Sequence, residues 1–82
     1  MNSFKLKLIL IDGQEIDKEV VSLTCKTKLG ELTILPNHQS FIGIIEPGEI
    51  IIDNGQKKEK IFINQQSILE FNNNQAKLLY LF

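Results

Sequence analysis

Residues 30–52 read GELTILPNHQSFIGIIEPGEIII, and the fold turns on how this stretch divides. Gly30 permits a positive φ at its start. Leu32, Ile34 and Leu35 form a short apolar run, which Pro36 ends because it has no N–H to give to a ladder. Asn37 and His38 open a polar corner, and Phe41–Ile45 is a second apolar run. Glu46-Pro47-Gly48-Glu49 carries the type II turn pattern: proline presets φ at the second position and glycine accepts a positive φ at the third. Ile50–Ile52 leaves that turn as a third run.

The flanks extend the same pattern. Phe4, Leu6, Leu8 and Leu10 alternate with Lys5 and Lys7, a period-2 strand with one buried face. Asp12-Gly13 is a hairpin signal and returns the chain through Gln14–Ile16. Residues 20–26 place Val21, Leu23 and Cys25 on one face, and Thr27–Glu31 reads as a polar loop. Downstream, Asp53-Asn54-Gly55-Gln56 has the composition of a type I′ hairpin turn. Residues 57–64 set Ile61 and Ile63 against Lys58, Lys60 and Phe62, and those lysines suit an edge strand. Residues 67–71, the Asn72-Asn73-Asn74 turn and residues 76–82 form a third hairpin. No segment keeps a 3.6-residue period over helical length. The expected architecture is all-β: a small antiparallel β-sandwich of about eight to ten short strands, one domain over residues 1–82.

Composition narrows the function. Nine lysines, no arginine and ten acids leave a formal charge of −1 and no basic stripe, so nucleic acid is not an expected partner. One cysteine excludes an intrachain disulfide and fits a reducing compartment. No signal-peptide pattern is present and no apolar run reaches membrane-spanning length, so a soluble cytoplasmic domain is expected. His38 is the only histidine and Cys25 the only thiol, which falls short of a zinc ligand set. No nucleophile–base pair stands at a recognisable spacing, so neither catalytic residues nor a cofactor are expected.

Alternation fails in four places: LILI (8–11), FIGII (41–45), III (50–52) and LLYLF (78–82) are apolar at both parities. A two-layer sandwich covers only its inner faces. The surplus isoleucine and phenylalanine therefore points to a surface that a partner covers.

Gly30, Glu31, Leu32, Ile34, Leu35, Pro36, His38, Pro47 and Gly48, with a Leu69-Glu70 pair in a late strand, resemble the signature of the epsilon subunit of F-type ATP synthases, in its N-terminal β-sandwich domain. The resemblance implies a non-catalytic rotor-stalk component that clamps the gamma subunit to the membrane rotor ring and couples ion-driven rotation to ATP synthesis. It implies a peripheral location on the cytoplasmic face of a bacterial plasma membrane, without insertion. It sets Lys28 and Glu31 against the polar loops of the ring, and His38, Phe41 and Ile42 against gamma. Family members commonly continue into a pair of C-terminal helices; a chain that stops at its last strand would lack the inhibitory role tied to them. Gln65-Gln66 also stands where the family often has two glycines.

Two other readings fit a small all-β chain. A lipoyl or biotinyl carrier domain presents a lysine at a hairpin tip, as Lys57 stands beside Asn54-Gly55, but Gln56 and Lys58 are not its usual flanks. A sugar-binding sandwich wants stacking aromatics, and the chain has no tryptophan and one tyrosine. On the rotor-stalk reading, mass spectrometry of the protein from its host finds Lys57 unmodified; a lipoyl or biotinyl adduct on Lys57 would establish the carrier instead.

Overall fold

Alternation decides which side chains meet in the core. The computed structural model describes residues 2–80. These form nine strands: β1 (Phe4–Ile9), β2 (Glu15–Val20), β3 (Ser22–Thr27), β4 (Gly30–Ile34), β5 (Phe41–Ile45), β6 (Gly48–Asp53), β7 (Lys58–Ile63), β8 (Ser67–Asn72) and β9 (Gln75–Tyr80). They build a five-stranded sheet, β2-β1-β9-β8-β5, facing a four-stranded one, β4-β3-β6-β7. Phe4, Leu6 and Leu8 of β1, Leu69 and Phe71 of β8, and Ala76 and Leu78 of β9 point inward from the first sheet. Leu23, Cys25, Ile34, Ile50, Ile52 and Ile63 meet them from the second. Phe4 and Phe71 pack edge to face with ring centroids 5.4 Å apart.

Nine strands in two layers agree with the expected sandwich, with one exception to antiparallel pairing. β1 and β9 run parallel, Leu6 opposite Ala76 and Leu8 opposite Leu78. The direction of β9 is set by its tight hairpin with β8, and the first strand joins its free side.

Several turns differ from their expected forms. Thr27–Glu31 is not a loop: Gly30 and Glu31 already belong to β4, and only Lys28 and Leu29 connect the strands. The Thr27 hydroxyl accepts from Leu29 N–H at 3.1 Å and donates to the Gly30 carbonyl at 2.9 Å, and Gly30 sits at φ +122°. Glu46–Glu49 is not a type II turn, since Gly48 has φ +145° and opens β6. The segment crosses from one sheet to the other, and Glu46 N–H donates to the Lys26 carbonyl at 2.8 Å. At Asn54-Gly55 only the glycine enters the left-handed region, so the turn is not type I′; the Asn54 Oδ1 instead accepts from Gln56 and Lys57 N–H, each at 2.9 Å. The type I′ geometry falls at Asn73 (φ 52°) and Asn74 (φ 57°). Gln65 and Gln66 keep negative φ, so this chain needs no glycine there.

Asn74 also ties three segments. Its Nδ2 donates to the Ser3 carbonyl at 2.9 Å, and its Oδ1 accepts from Asn37 N–H at 2.7 Å. Asn37 is itself left-handed, at φ 64°, a conformation asparagine tolerates better than most residues.

Truncating Ile45, fully buried at the end of β5, to alanine is expected to cost about 2–5 kcal/mol of stability in urea unfolding. Burial pushes the Cys25 thiol up to about 11. Above about pH 9 the unfolded chain releases that proton and the folded chain holds it until about pH 11. Stability therefore falls as pH rises through that window. Urea midpoints at pH 8 and pH 10.5 measure the fall, and Cys25→Ala is expected to make it smaller.

Candidate partner interface

The outer face of the five-stranded sheet follows from register. Ile44 lies opposite Ile68, Ile68 opposite Leu79, and Leu79 opposite Ile9. Four strands thus contribute one apolar residue each to a continuous row. The adjacent row runs Ile42, Glu70, Lys77, Lys7, Asp17, so one apolar residue leads into compensating charges. Ile42 is 71% exposed and Ile44 50%, whereas Ile68, Leu79 and Ile9 are half-buried by their neighbours. This row is where three of the four doubled apolar runs discharge: their other parity, Gly43, Ile45, Leu78 and Leu8, faces the core with Leu69. Of the run 78–82, residues 81 and 82 lie outside the described residues.

The outer face of the four-stranded sheet is of another kind. Thr24 and Thr33 share a hydrogen bond of 3.1 Å, Glu31 stands opposite Lys26, and Lys60 reaches Glu49 at 3.8 Å. Phe62, 78% exposed, interrupts it on the edge strand β7. Ile51 is half-buried there.

The residues singled out for partners separate in space. Ile42 is exposed on the outer face of the five-stranded sheet. Phe41, one residue earlier, points the other way and packs against the core. Its ring occupies the space above Gly43, where a Cβ would lie 2.7 Å from the ring Cζ, so residue 43 carries no side chain. His38 is half-buried at the corner: its ring lies edge to face with Phe71 at 5.9 Å, its N–H donates to the Leu35 carbonyl, and its Nδ1 donates to the Gln39 carbonyl at 2.8 Å. Those contacts make it a corner-holding residue. Glu31 is exposed on the second sheet's outer face. Lys28 sits at the β3–β4 tip and, with Leu29, overhangs β5 across a groove of about 440 Å³ floored by Phe41 and Ile44 and closed by Glu46 and Gln66. Lys28 therefore shares that groove with Phe41, while Glu31 faces outward from β4.

Leu29 is fully exposed at that tip. Its only signal in the sequence is a leucine standing alone in a polar turn. No group of three or more metal-ligating side chains gathers among the described residues. Lys57 lies in the β6–β7 turn, its N–H bonded to Asn54.

Comparison with known proteins agrees with this architecture. Residues 3–80 match the family model described as ATP synthase, Delta/Epsilon chain, beta-sandwich domain. The chain is 32% identical over 79 residues to an ATP synthase epsilon chain of Wolbachia pipientis wMel, covering 96% of this chain and 69% of that one. It is 35% identical over 81 residues to an ATP synthase epsilon chain of a Nitratiruptor species, covering 96% of this chain and 61% of that one. Its fold is similar to a chain in the mitochondrial ATP synthase of Euglena gracilis, with a TM-score of 0.84 at 22% identity, over 93% of this chain and 49% of that one. With a match over residues 3–80 and two alignments above 30% identity that cover 96% of this chain, the chain belongs to the delta/epsilon family of ATP synthase chains, as the β-sandwich domain of that family.

Proposed function

We propose that this chain is the epsilon component of the central stalk of an F-type ATP synthase, a non-catalytic subunit that links the gamma subunit to the membrane rotor ring. The observation that carries the reading is the apolar row Ile44–Ile68–Leu79–Ile9 with Ile42 beside it. A stalk subunit must transmit torque between two bodies, which requires a stiff layer and two separate contacts. Two hydrogen-bonded sheets over one core supply the stiffness. The outer row gives one contact, for gamma, with Ile42 at its exposed end and His38 bracing the corner beside it. Phe41 and Lys28 belong to the same side, at the groove. The β3–β4 hairpin gives the other contact, for the ring loops, through Glu31, exposed on the outer face of the second sheet. The reading sets the chain peripherally, at the cytoplasmic face of a bacterial plasma membrane; no helix of the described residues is long and apolar enough to cross one.

The epsilon-chain names of the relatives and the stalk and ring assemblies among the similar structures support this reading over a carrier domain modified at Lys57. Its test is binding to the gamma subunit of the same organism. Ile42→Asp places a charge on the exposed row without touching the core. It is expected to weaken binding at least tenfold, about 1.4 kcal/mol, while Lys58→Ala on the far edge leaves it unchanged. Phe41→Asp is the poorer probe, because it removes packing as well. Equal binding by wild type and Ile42→Asp overturns the assigned face.

A further inference from the structure

The two open sides of the sandwich are not alike. On one, the edges β2 and β7 carry four charges in six residues and three in six, and Lys18 bridges to Glu59 at 3.1 Å from one sheet to the other. On the other, the edges are β4, which carries one charge in five residues, and β5, whose Phe41–Ile45 contains neither a charge nor a proline. An edge strand presents unpaired N–H and C=O groups, and proteins guard such edges with charge. β5 carries no charge of its own, and the β3–β4 tip stands over it only across the groove.

The groove between β5 and the hairpin tip adds a direction. Lys28 lines it and forms no ion pair among the described residues. The Glu46 carboxylate, at the same groove, is held by Gln66 Nε2 at 3.2 Å. The groove therefore holds one cation, Lys28, and one anion, Glu46, whose charge the neutral Gln66 amide does not cancel, around an apolar floor. Ile44 lines the groove and also begins the outer apolar row, so the two surfaces are continuous.

We propose that β5 is a strand-addition site. An extended segment of the protein that covers the outer row pairs its backbone with the free edge of β5, apolar at alternate residues and with a carboxylate set against Lys28. The inference rests on the stalk reading for the partner's identity and adds the kind of contact, main chain to main chain. A second copy of this chain is a poorer occupant: its own β5, FIGII, offers no carboxylate within the strand to set against Lys28.

Amide hydrogen exchange of the chain, alone and with the gamma subunit, tests this. Along an edge strand, alternate N–H groups point away from the neighbouring strand. Those of β5 are expected to exchange at least tenfold more slowly in the complex, and Lys28→Glu, at an exposed turn, to weaken binding about tenfold, the loss shrinking in high salt. Binding that persists with β5 exchange unchanged overturns strand addition and leaves the stalk reading standing. Absence of binding by the wild-type chain overturns the stalk reading, and strand addition with it. Protection that grows with concentration in the chain alone, accompanied by a dimer mass, assigns the edge to a second copy and overturns the proposal.

Discussion

Leu69 of β8 lies opposite Gly43 on one side and Leu78 on the other, and this register governs what the domain hides and what it shows. Because side chains alternate across a strand, a slip of one residue would turn Ile68 and Glu70 into the core and bring Leu69 and Phe71 to the surface. The buried face resists that slip: Leu69 and Phe71 are almost completely enclosed, and Phe71 makes edge contacts with both Phe4 and His38. The outer apolar row is thus a product of the core. It exists because the strands that bury Leu8, Leu78, Leu69 and Ile45 carry apolar residues at the alternate positions too.

Most of the strands were legible because their periodicity was unambiguous. The alternation of Phe4, Leu6 and Leu8 with lysines, or of Ile61 and Ile63 with Lys58 and Lys60, maps directly onto buried and exposed faces. FIGII was harder, since a run apolar at every position names no inner face. Phe41 and Ile42 looked equivalent in the sequence, and only pairing with β8 turns one inward and the other out. Turns were read from composition, which served at Asp12-Gly13 and Asn72–Asn74, missed the geometry at Asn54-Gly55 and the extent of β4 at Gly30-Glu31, and failed at Glu46–Glu49. There the same Pro-Gly pair carries the chain between sheets. Whether a turn closes a hairpin depends on where the next strand docks, a tertiary matter. The parallel pair of β1 and β9 left no local mark at all.

The candidate surface divides in the same way. A surplus of apolar residues was visible in composition and patterning, and Ile42 was identifiable within it. The grouping of residues was not. Lys28 and Glu31 are close in sequence and sit on one hairpin, yet alternation and the tightness of the turn send them to different surfaces. Lys28 ends beside Phe41, which the chain reaches only after the corner at Asn37 and His38.

The pairing of β1 with β9 joins Lys5 to Gln75 and Ile9 to Leu79, nearly the whole length of the chain apart. Closing so long a loop comes before any reward from the contacts it allows. On a translating ribosome, the β1–β2 hairpin must wait with one side uncovered until residues beyond 75 have left the exit tunnel. Nothing short of the last strand can seal the five-stranded layer, so the domain matures after synthesis of its final hairpin rather than strand by strand. A nascent chain arrested before that point would hold Leu6 and Leu8 without their neighbours Ala76 and Leu78.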